Sequence, residues 1–473
     1  MYGSGSDEAA ATTRTWTEAH QAAFARATGD VNPMHMDARM ARRTLAGERA
    51  VHGVHAALWA LDACADTHPL DRLATLQMRF ERFVLVGDRA VLTVHETDAG
   101  QLRLSVAVDG VRTLTIQATF AAERAPAGRV EAAPTAIPAE PVTHDPAALT
   151  GLAGAFALPD HTFGIGPHLD RAADSRGRDR VAVVVEAHEA GRGHSILSKI
   201  DVTVTEGDTG ASLGYAVKRF QPMLQSVTLD AVGPGLVARV EGFVRPRPVE
   251  QESLRDLAAL VEPGAFAAVS ALIVGGSRGL GAATAKLIAA GGGAVCITYA
   301  SGAEEAEAVA REIRDAGGRC QVLRYDAAEP AAAQLAALAM RPSQLYHFAT
   351  PRIFRQKRAP FEPACLDEMM RVYNTAFYEL SQFCLERGDA VAAFYPSTSA
   401  IDEAPRDTLE YVMAKIAGET LAATLARTLP NLRTVIERLP RVKTDQTATI
   451  FPVPAAAPSA LMLPIIRRMS AAA

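Results

Sequence analysis

The N-terminal part of the chain carries apolar residues at helical spacing in three stretches. The first spans residues 17–27, with Thr17 placed to cap the helix. After a loop at residues 28–36, the second lies near residues 37–47. The third spans residues 52–67 and is the longest and most apolar. This pattern predicts a helical opening that ends in a long apolar helix.

From Leu76 onward the apolar residues alternate with polar ones, which is the period of a half-buried strand. Gly-Asp, Ala-Gly and Asp-Gly pairs interrupt the alternation as hairpin turns. The pattern predicts one long helix beside an antiparallel meander, in a domain over residues 15–130. Residues 124–147, rich in Ala, Pro and Glu, are predicted to form a linker.

Two further regions follow the linker. Residues 150–250 form either a weak echo of the first domain or an unrelated β-rich spacer, with strand candidates at 180–189, 196–207, 213–223 and 236–246. From Ala268 the chain alternates strand, turn and helix. That alternation predicts a parallel sheet with helices on both faces, in a domain over residues 265–473.

Composition narrows the class of protein. Hydrophobic residues make up 49% of the 473 residues, enough for buried cores, and a net charge of −5 gives no reason to bind nucleic acid. The five cysteines form no CxxC pair and no Cys/His cluster, so reduced buried thiols and no metal site are expected. No secretion signal and no membrane-spanning run is visible, so a cytoplasmic protein without membrane partners is expected.

The loop GDVNPMH at residues 29–35 places a carboxylate, Asp30, and an imidazole, His35, on a tight turn. Adding or removing water next to a thioester needs a group that moves protons and a group that orients the water, and this pair supplies both. Downstream, Gly53 opens the long apolar helix, where an unsatisfied N–H would polarise a thioester carbonyl. The alternative is a turn in which the aspartate caps a helix and the histidine lies on the surface.

These residues resemble the MaoC-like, hydratase-2 type hot-dog family, which includes (R)-specific enoyl-CoA hydratases. The matching strings are FARATGDVNPMHMD at residues 24–37, AVHGVHAAL at 50–58 and MRFERFVLVGD at 78–88. The resemblance implies that Asp30 and His35 are the catalytic pair and that Asn32 shapes the loop. Ala56 and Ala57 stand where the family often carries a serine. Since a hot-dog dehydratase needs two hot-dog folds, the resemblance also implies that residues 150–250 are a degenerate second one.

The C-terminal region opens with VGGSRGLG at residues 274–281, between a strand and a helix. Glycines there allow a pyrophosphate to approach the helix N-terminus closely. No acid ends the second strand, and with an arginine in the loop this favours NADPH over NADH. The cofactor-binding candidates are Gly275, Ser277, Arg278, Gly279, Leu280 and Gly281, with Asp326 placed to accept from the adenine amino group.

YVMAK at residues 411–415 places Tyr411 and Lys415 on one helix face. A nearby ammonium lowers the pKa of a tyrosine, so Tyr411 is predicted to protonate a carbonyl oxygen as hydride reaches the carbon. YPSTSA at residues 395–400 supplies hydroxyls for the same oxygen. Asn374 is predicted to hold a water of the proton relay to Lys415.

The glycine loop, Asn, hydroxyl and Tyr-x-x-x-Lys resemble, in order, the short-chain dehydrogenase/reductase family over residues 268–450. The resemblance implies that Tyr411 is the acid, Lys415 its partner and Asn374 the relay residue, with Tyr411 and Lys415 also contacting the cofactor. The family's serine position falls on Thr398 by spacing, with Ser397 and Ser399 as open alternatives.

Three further features of this region bear on the resemblance. Thr444, in PRVKT, resembles the contact to the nicotinamide carboxamide. Val274 replaces the usual threonine before the first glycine, and HFAT at residues 347–350 stands where the family has Asn-Asn-Ala-Gly. Either departure would weaken cofactor binding.

Two such constellations on one chain predict consecutive steps of acyl processing. We expect an α+β double hot-dog part followed by an α/β Rossmann-like doubly wound parallel sheet. The expected activity is an NADPH-dependent 3-oxoacyl thioester reductase and 3-hydroxyacyl thioester dehydratase, acting on acyl-carrier-protein or CoA substrates as a homo-oligomer such as a dimer. Two alternatives stay open: a hydratase with an inactive reductase-like assembly domain, and a non-enzymatic acyl-carrier-binding scaffold.

Overall fold

A computed structural model describes residues 12–44, 46–68, 70–96, 100–121, 125–126, 133–135, 148–157, 195–206, 212–233, 235–244, 249–353, 359–388, 390–403, 405, 408–447, 449 and 453–471. The chain divides into two compact units, Met1–Pro248 with Thr449–Pro452, and Val249–Ala448 with Val453–Ala473. No helix among these described residues is long and apolar enough to cross a membrane.

Short helices open the first unit and carry the predicted loop. They are α1 (Glu18–Thr28), α2 (Pro33–Met36), α3 (Ala38–Arg42) and α4 (Gly53–Asp62). Thr17 caps α1 as predicted, and Gly29 ends it in the left-handed region at φ +72°. The apolar helix predicted over residues 52–67 ends at Asp62, and turns continue to Thr67.

Ten strands of the described chain form one antiparallel sheet in the first unit. They are β1 (Thr12–Thr15), β2 (Leu73–Phe80), β3 (Arg89–Glu96), β4 (Gln101–Val108), β5 (Val111–Phe120), β6 (Ala153–Ala157), β7 (Ser195–Val204), β8 (Ser212–Gln221), β9 (Ser226–Gly233) and β10 (Leu236–Val244). The predicted Asp-Gly hairpin turn joins β4 to β5, with Asp109 at φ +49° and Gly110 at φ +72°.

The two halves of this sheet have the same strand order. Across the sheet the order is β1-β3-β4-β5-β2-β7-β10-β9-β8-β6, so each half runs second, fifth, fourth, third and first strand from the centre outward. The halves meet where β2 pairs with β7, with Met78 opposite Ile200. Strands β7, β8 and β10 correspond to three predicted strands, β6 and β9 were not predicted, and the one predicted at 180–189 lies outside the described residues.

Helix α4 packs in the same core as both halves of the sheet. Leu58 and Leu61 from the helix share one hydrophobic cluster with Leu104 from the first half and Ile200 and Leu229 from the second. Full burial of each such side chain stabilises the fold by about 1.5–3 kcal/mol. The predicted long helix beside an antiparallel meander is therefore confirmed.

The second unit is a parallel sheet with helices between its strands. The strands are β11 (Ser270–Val274), β12 (Ala294–Tyr299), β13 (Arg319–Arg324), β14 (Gln344–His347), β15 (Val391–Thr398) and β16 (Leu432–Leu439). The helices are α5 (Leu254–Ala258), α6 (Gly279–Ala290), α7 (Ala303–Asp315), α8 (Ala331–Gln334), α9 (Pro363–Met370), α10 (Ala376–Arg387), α11 (Ala400–Glu403), α12 (Leu409–Thr428) and α13 (Pro458–Ser470).

The strand order β13-β12-β11-β14-β15-β16 is the doubly wound order of dinucleotide-binding sheets. Consecutive residues of β11 pack on opposite faces of the sheet. Ile273 packs against α6, α7 and α13, whereas Leu272 packs against α10 and α12. The Rossmann-like prediction is confirmed. The unit begins at Val249, ahead of the predicted boundary at residue 265, because α5 packs on α6.

All five cysteines are free and buried. Burial raises the pKa of Cys296, Cys320 and Cys384 to about 12, because an ionised thiolate is poorly solvated there. These thiols therefore pack as small hydrophobic side chains.

Candidate functional sites

The predicted acid–base pair is buried, with Asp30 in the loop between α1 and α2 and His35 in α2. Asp30 is 5% exposed and His35 is 3% exposed, so the alternative with a surface histidine is wrong. The Asp30 carboxylate accepts a hydrogen bond from the Asn32 N–H at 3.1 Å. The Asn32 side chain in turn accepts from the Met34 N–H at 3.1 Å and caps α2. Asn32 thus shapes the loop, as the resemblance implied.

A backbone carbonyl sets the tautomer of His35. Its Nδ1 lies 2.8 Å from the Ala50 carbonyl oxygen, which also accepts from Gln21 Nε2 at 2.9 Å. Because a carbonyl oxygen only accepts, Nδ1 carries the proton of the neutral ring, and the lone pair is on Nε2. Nε2 is therefore the atom of His35 that would accept a proton in catalysis.

A third buried group, His52, joins this pair. Ligand atoms of Asp30, His35 and His52 all lie within 4.8 Å of one another. A water makes hydrogen bonds of about 2.8 Å, so one water can bridge groups at this separation. His52 was not among the predicted residues, although it immediately precedes Gly53 inside the string that carries the family resemblance.

Gly53 is the first residue of α4 and lies against an aromatic ring. A Cβ at this position would be 2.8 Å from Cδ1 of Phe80, so a side chain would displace that ring. The N–H of a first helical residue has no acceptor within its own helix. The structure therefore leaves Gly53 as the candidate donor to a thioester oxygen.

In the second unit the glycine loop is tight at each position where a glycine was expected. Gly275 and Gly279 have φ of +79° and +56°, in the region that disfavours side chains. A Cβ on Gly281 would lie 2.2 Å from the Gly275 carbonyl oxygen. A Cβ on Gly279 would contact Thr444, so the glycine loop lies next to the residue predicted to contact the nicotinamide carboxamide.

The amide at the start of α6 already has an acceptor. The Gly279 N–H donates to Oε1 of Gln251 at 2.7 Å, and a cavity of about 240 Å³ lies beside this contact. The backbone on both sides of Gln251 is tied down: Val249 N–H donates to Asp445, and Lys286 donates to the Glu252 carbonyl. Gln251 was missed because it precedes the predicted domain boundary.

The other predicted cofactor residues have structural partners of their own. Arg278 Nη1 lies 3.9 Å from the buried Asp445 carboxylate. Asp326 accepts from the Ala328 N–H at 2.9 Å and so shapes the turn after β13. Leu280 packs at the edge of the core, and the Ser277 side chain lies near Gly302. Their roles toward a cofactor stay predictions.

Tyr411 on α12 meets a hydroxyl at the end of β15. Thr398 hydrogen bonds to the Tyr411 side chain. Ser397 instead donates to Glu419 at 2.6 Å, and Arg438 holds that carboxylate through two nitrogens at 2.8 Å. Among the open alternatives, the geometry therefore favours Thr398 as the hydroxyl that would share the substrate oxygen.

Lys415 lies in an aromatic environment. Its Nζ donates to the Pro396 carbonyl at 2.7 Å and lies 3.9, 5.1 and 5.8 Å from the ring centroids of Tyr373, Tyr395 and Tyr411. Burial lowers the pKa of Lys415 to about 7 and raises the pKa of Tyr411, which its hydrogen bond to Thr398 partly offsets. The predicted lowering of the Tyr411 pKa by the ammonium is therefore wrong, because burial raises this pKa.

Asn374 lies in a π-helical turn, Arg371–Thr375, between α9 and α10. Its Nδ2 donates to the Ala414 carbonyl, and its Oδ1 accepts from the Tyr395 hydroxyl, both at 3.1 Å. A Cβ at Gly418 would lie 1.7 Å from that hydroxyl. Asn374 thus holds β15 and α12 together, next to Lys415, and its relay water stays a prediction. Gly418, a glycine inside a helix, is the sequence signal that was missed.

Residues of the HFAT string, at 347–350, contact the residues around Lys415. The Thr350 hydroxyl hydrogen bonds to the hydroxyl of Tyr373, whose ring lies next to the Lys415 Nζ. His347 Nε2 donates to the Val372 carbonyl at 2.7 Å, and burial lowers the pKa of His347 to about 4. Tyr373 and Thr350 were not predicted.

Comparisons with known proteins agree with this division of the chain. Residues 5–117 match the family model described as MaoC like domain, which includes Asp30, His35 and Gly53. Residues 269–344 match the model described as short chain dehydrogenase, which includes the glycine loop but ends before Tyr411. No curated protein matched the chain.

Three of the solved structures similar to the chain each match less than half of its length. One is FolM alternative dihydrofolate reductase 1 from Brucella suis in complex with NADP, with 22% identity, 37% of this chain, 73% of that chain and a TM-score of 0.34. Another is the angucycline C-6 ketoreductase LanV with bound NADP, which is 24% identical, matches 43% of this chain and 90% of its own chain, and has a TM-score of 0.38. A third is the oxidoreductase yciK from E. coli, which is 21% identical, matches 44% of this chain and 92% of its own chain, and has a TM-score of 0.39. On the family models, the chain carries a MaoC-like domain followed by a short-chain dehydrogenase domain.

Proposed function

We propose that the chain is a bifunctional enzyme, an NADPH-dependent 3-oxoacyl thioester reductase and a 3-hydroxyacyl thioester dehydratase. The product of the two steps is a trans-2-enoyl thioester. The observation that carries the proposal is the presence of two acid–base arrangements in separate units, the buried pair Asp30 and His35, and the partly buried Tyr411 beside the buried Thr398 and Lys415. The first suits water chemistry, and the second suits carbonyl reduction.

In the first site each group has a separate task. In the hydration direction Asp30 orients a water, His35 Nε2 accepts its proton, and the water oxygen adds to C3 while the proton passes to C2. The Gly53 N–H stabilises the charge that develops on the thioester oxygen. Dehydration of the 3-hydroxyacyl thioester is the reverse, so the same groups serve both directions.

In the second site the residues fit a nicotinamide dinucleotide. The Gly279 N–H already donates to an acceptor oxygen from outside the loop, as it would to a phosphate oxygen. Bound NADPH would supply the hydride. Tyr411 would donate a proton to the carbonyl oxygen, Thr398 would hydrogen bond to that oxygen, and Lys415 would contact the cofactor. The missing acid after β12 and Arg278 support NADPH over NADH.

The double hot-dog is part of the proposal. The same strand order in both halves of the sheet, and a core shared by both, support two copies of one fold. Residues 150–250 lack the Asp/His string, which supports a degenerate second copy that shapes an acyl tunnel. An acyl carrier protein or CoA as carrier, a homodimer, a cytoplasmic location, and fatty acid or polyketide-type processing belong to the same proposal.

The test supplies acetoacetyl-CoA and NADPH to the purified protein. We expect loss of NADPH absorbance, followed by an enoyl product seen by mass spectrometry, and hydration of crotonyl-CoA without cofactor. Protein that neither oxidises NADPH nor hydrates crotonyl-CoA would falsify the proposal.

A hydratase with an inactive reductase-like domain is the second candidate. Two observations favour it. Gln251 accepts the hydrogen bond of the Gly279 N–H that a phosphate would need, and HFAT replaces the Asn-Asn-Ala-Gly string of the family. A fluorescence titration with NADPH separates the two candidates, because an assembly domain has no need of cofactor affinity. Hydration of crotonyl-CoA without NADPH binding would favour this candidate, and absence of both would leave the acyl-carrier-binding scaffold.

A further inference from the structure

His52 is the buried group that touches both members of the predicted catalytic pair. It is 1% exposed and immediately precedes α4. Its Nε2 lies 3.0 Å from the Asp30 backbone oxygen and 3.7 Å from Oδ2 of the Asp30 carboxylate. Its ring centroid lies 4.1 Å from that of His35, with the two planes tilted by 30°. One side chain thus contacts the carboxylate and the imidazole together.

The hydrogen bond to Asp30 fixes the role of the His52 ring. Because the carbonyl oxygen of Asp30 only accepts, Nε2 of His52 carries the proton and donates it. This bond ties the loop to the start of α4. The bond from His35 to the Ala50 carbonyl ties the same two segments a second time. The separation between carboxylate and imidazole therefore depends on both of these bonds.

We propose that His52 is the positioning residue of the dehydratase site. Its N–H holds Asp30 and its ring supports His35, so that one water fits between the two. The inference rests on the proposed dehydratase activity and names how that site is held. His52 does not itself move the substrate proton, because its N–H is committed to a carbonyl. A misplacement of about 1 Å in such a pair costs about 100-fold in rate.

The chain offers a matched control one turn later on α4. His55 is 4% exposed and stacks on Phe24 at 4.5 Å, the ring that also lies 4.9 Å from His52. Burial lowers the pKa of His55 to about 3. The ring contacts of His55 among the described residues are Phe24 and Trp16, not the catalytic pair. Replacing it tests burial of a histidine in this core without touching the site.

The experiment compares H52A, H52Q and H55A in the full chain. The readouts are kcat and KM for crotonyl-CoA hydration, NADPH-dependent reduction of acetoacetyl-CoA, and the midpoint of thermal unfolding. In H52A we expect kcat for hydration to fall by about 10- to 100-fold with KM nearly unchanged and reduction intact. Glutamine can place an N–H near the same carbonyl, so H52Q should recover at least several-fold of the lost kcat.

The outcomes are distinct. H55A should lower the unfolding midpoint about as much as H52A and leave kcat within about twofold of wild type. The inference is overturned if kcat falls in H55A as much as in H52A, if H52Q is no better than H52A, or if H52A keeps the wild-type kcat. Wild-type protein that does not hydrate crotonyl-CoA would overturn the proposed dehydratase and this inference together, whereas a change confined to H52A overturns neither.

Discussion

The two candidate sites hold their proton-transfer groups by different means. In the first unit Asp30 lies in a short loop and His35 in the helix α2 that follows it, and a hydrogen bond to the Ala50 carbonyl decides which nitrogen of His35 carries the proton. In the second unit Tyr411 and Lys415 lie one helical turn apart, and their ionisation is governed by burial among aromatic rings. We therefore expect the first site to lose activity when one hydrogen bond is removed. We expect the second site to lose activity when the burial or the rings around Tyr411 and Lys415 change.

The largest effect expected in the second site comes from Tyr411→Phe. The substitution keeps the ring that packs near Tyr373 and Lys415 but removes the proton donor, so reduction should fall by about 100- to 10,000-fold. Crotonyl-CoA hydration should be unchanged. Stopped-flow measurement of NADPH oxidation checks this. A reductase that keeps more than a tenth of its rate would remove Tyr411 from the proposed role.

Thr398→Ala compared with Ser397→Ala tests which hydroxyl shares the substrate oxygen. Thr398 bonds to Tyr411, so its loss should lower the rate of reduction by about 100-fold. Ser397 bonds to Glu419, so its loss should cost about 1 kcal/mol of stability and little rate. Steady-state rates and urea unfolding of both variants separate the two roles. The reverse pattern would return the assignment to Ser397.

The sequence predicted residue pairs that are close along the chain better than those that are not. Asp30 and His35, and Tyr411 and Lys415, are recognisable because a turn or one helical turn sets their spacing. His52, Tyr373 and Gln251 reach the sites only through tertiary packing, which local patterns do not contain. The choice between Thr398 and Ser397 depends on where Glu419 lies, which became visible only with α12 packed on β15.

The fold follows the same division. Alternation predicted the hairpins β3–β4 and β4–β5, because these strands pair with their neighbours along the chain. In the second half β9 was missed, although Ser226, Thr228 and Asp230 alternate with apolar residues at strand period and the strand pairs with its chain neighbours β8 and β10. The parallel sheet with helices on both faces was predicted from the alternation of strands and helices, whereas the order of its strands was not predicted.

The pH dependence of stability tests whether burial controls Lys415. Its pKa is about 7 in the folded chain against 10.5 when exposed, so between these values the unfolded chain holds a proton that the folded chain lacks. The burial cost is therefore largest below pH 7 and falls as the pH rises toward 10.5. Lys415→Met should be more stable than wild type near pH 7, with the gap narrowing at higher pH.

Urea unfolding of both proteins across this pH range is the measurement. Taking the difference between them cancels the other groups that titrate in the same window. A gap that does not change with pH would show that Lys415 keeps its charge in the folded chain, and that burial does not control this site.

The smallest effect is expected for Gln251→Ala. Its amide oxygen competes with a phosphate for the Gly279 N–H, and a neutral hydrogen bond is worth about 0.5–1.5 kcal/mol. NADPH should therefore bind about 2- to 10-fold more tightly, measured by fluorescence titration. Gln251→Glu keeps the acceptor and adds negative charge, so it should weaken binding. Weaker binding in Gln251→Ala would mean that Gln251 contacts the cofactor instead.

The central claim is that two independent sites on one chain act in sequence. It is tested most directly by a mass-spectrometric time course of Asp30→Asn supplied with acetoacetyl-CoA and NADPH. The account predicts that 3-hydroxybutyryl-CoA accumulates in equal amount to the NADPH consumed, at the wild-type rate and with no enoyl product. Loss of NADPH consumption in a folded Asp30→Asn protein, or continued formation of crotonyl-CoA, would contradict it.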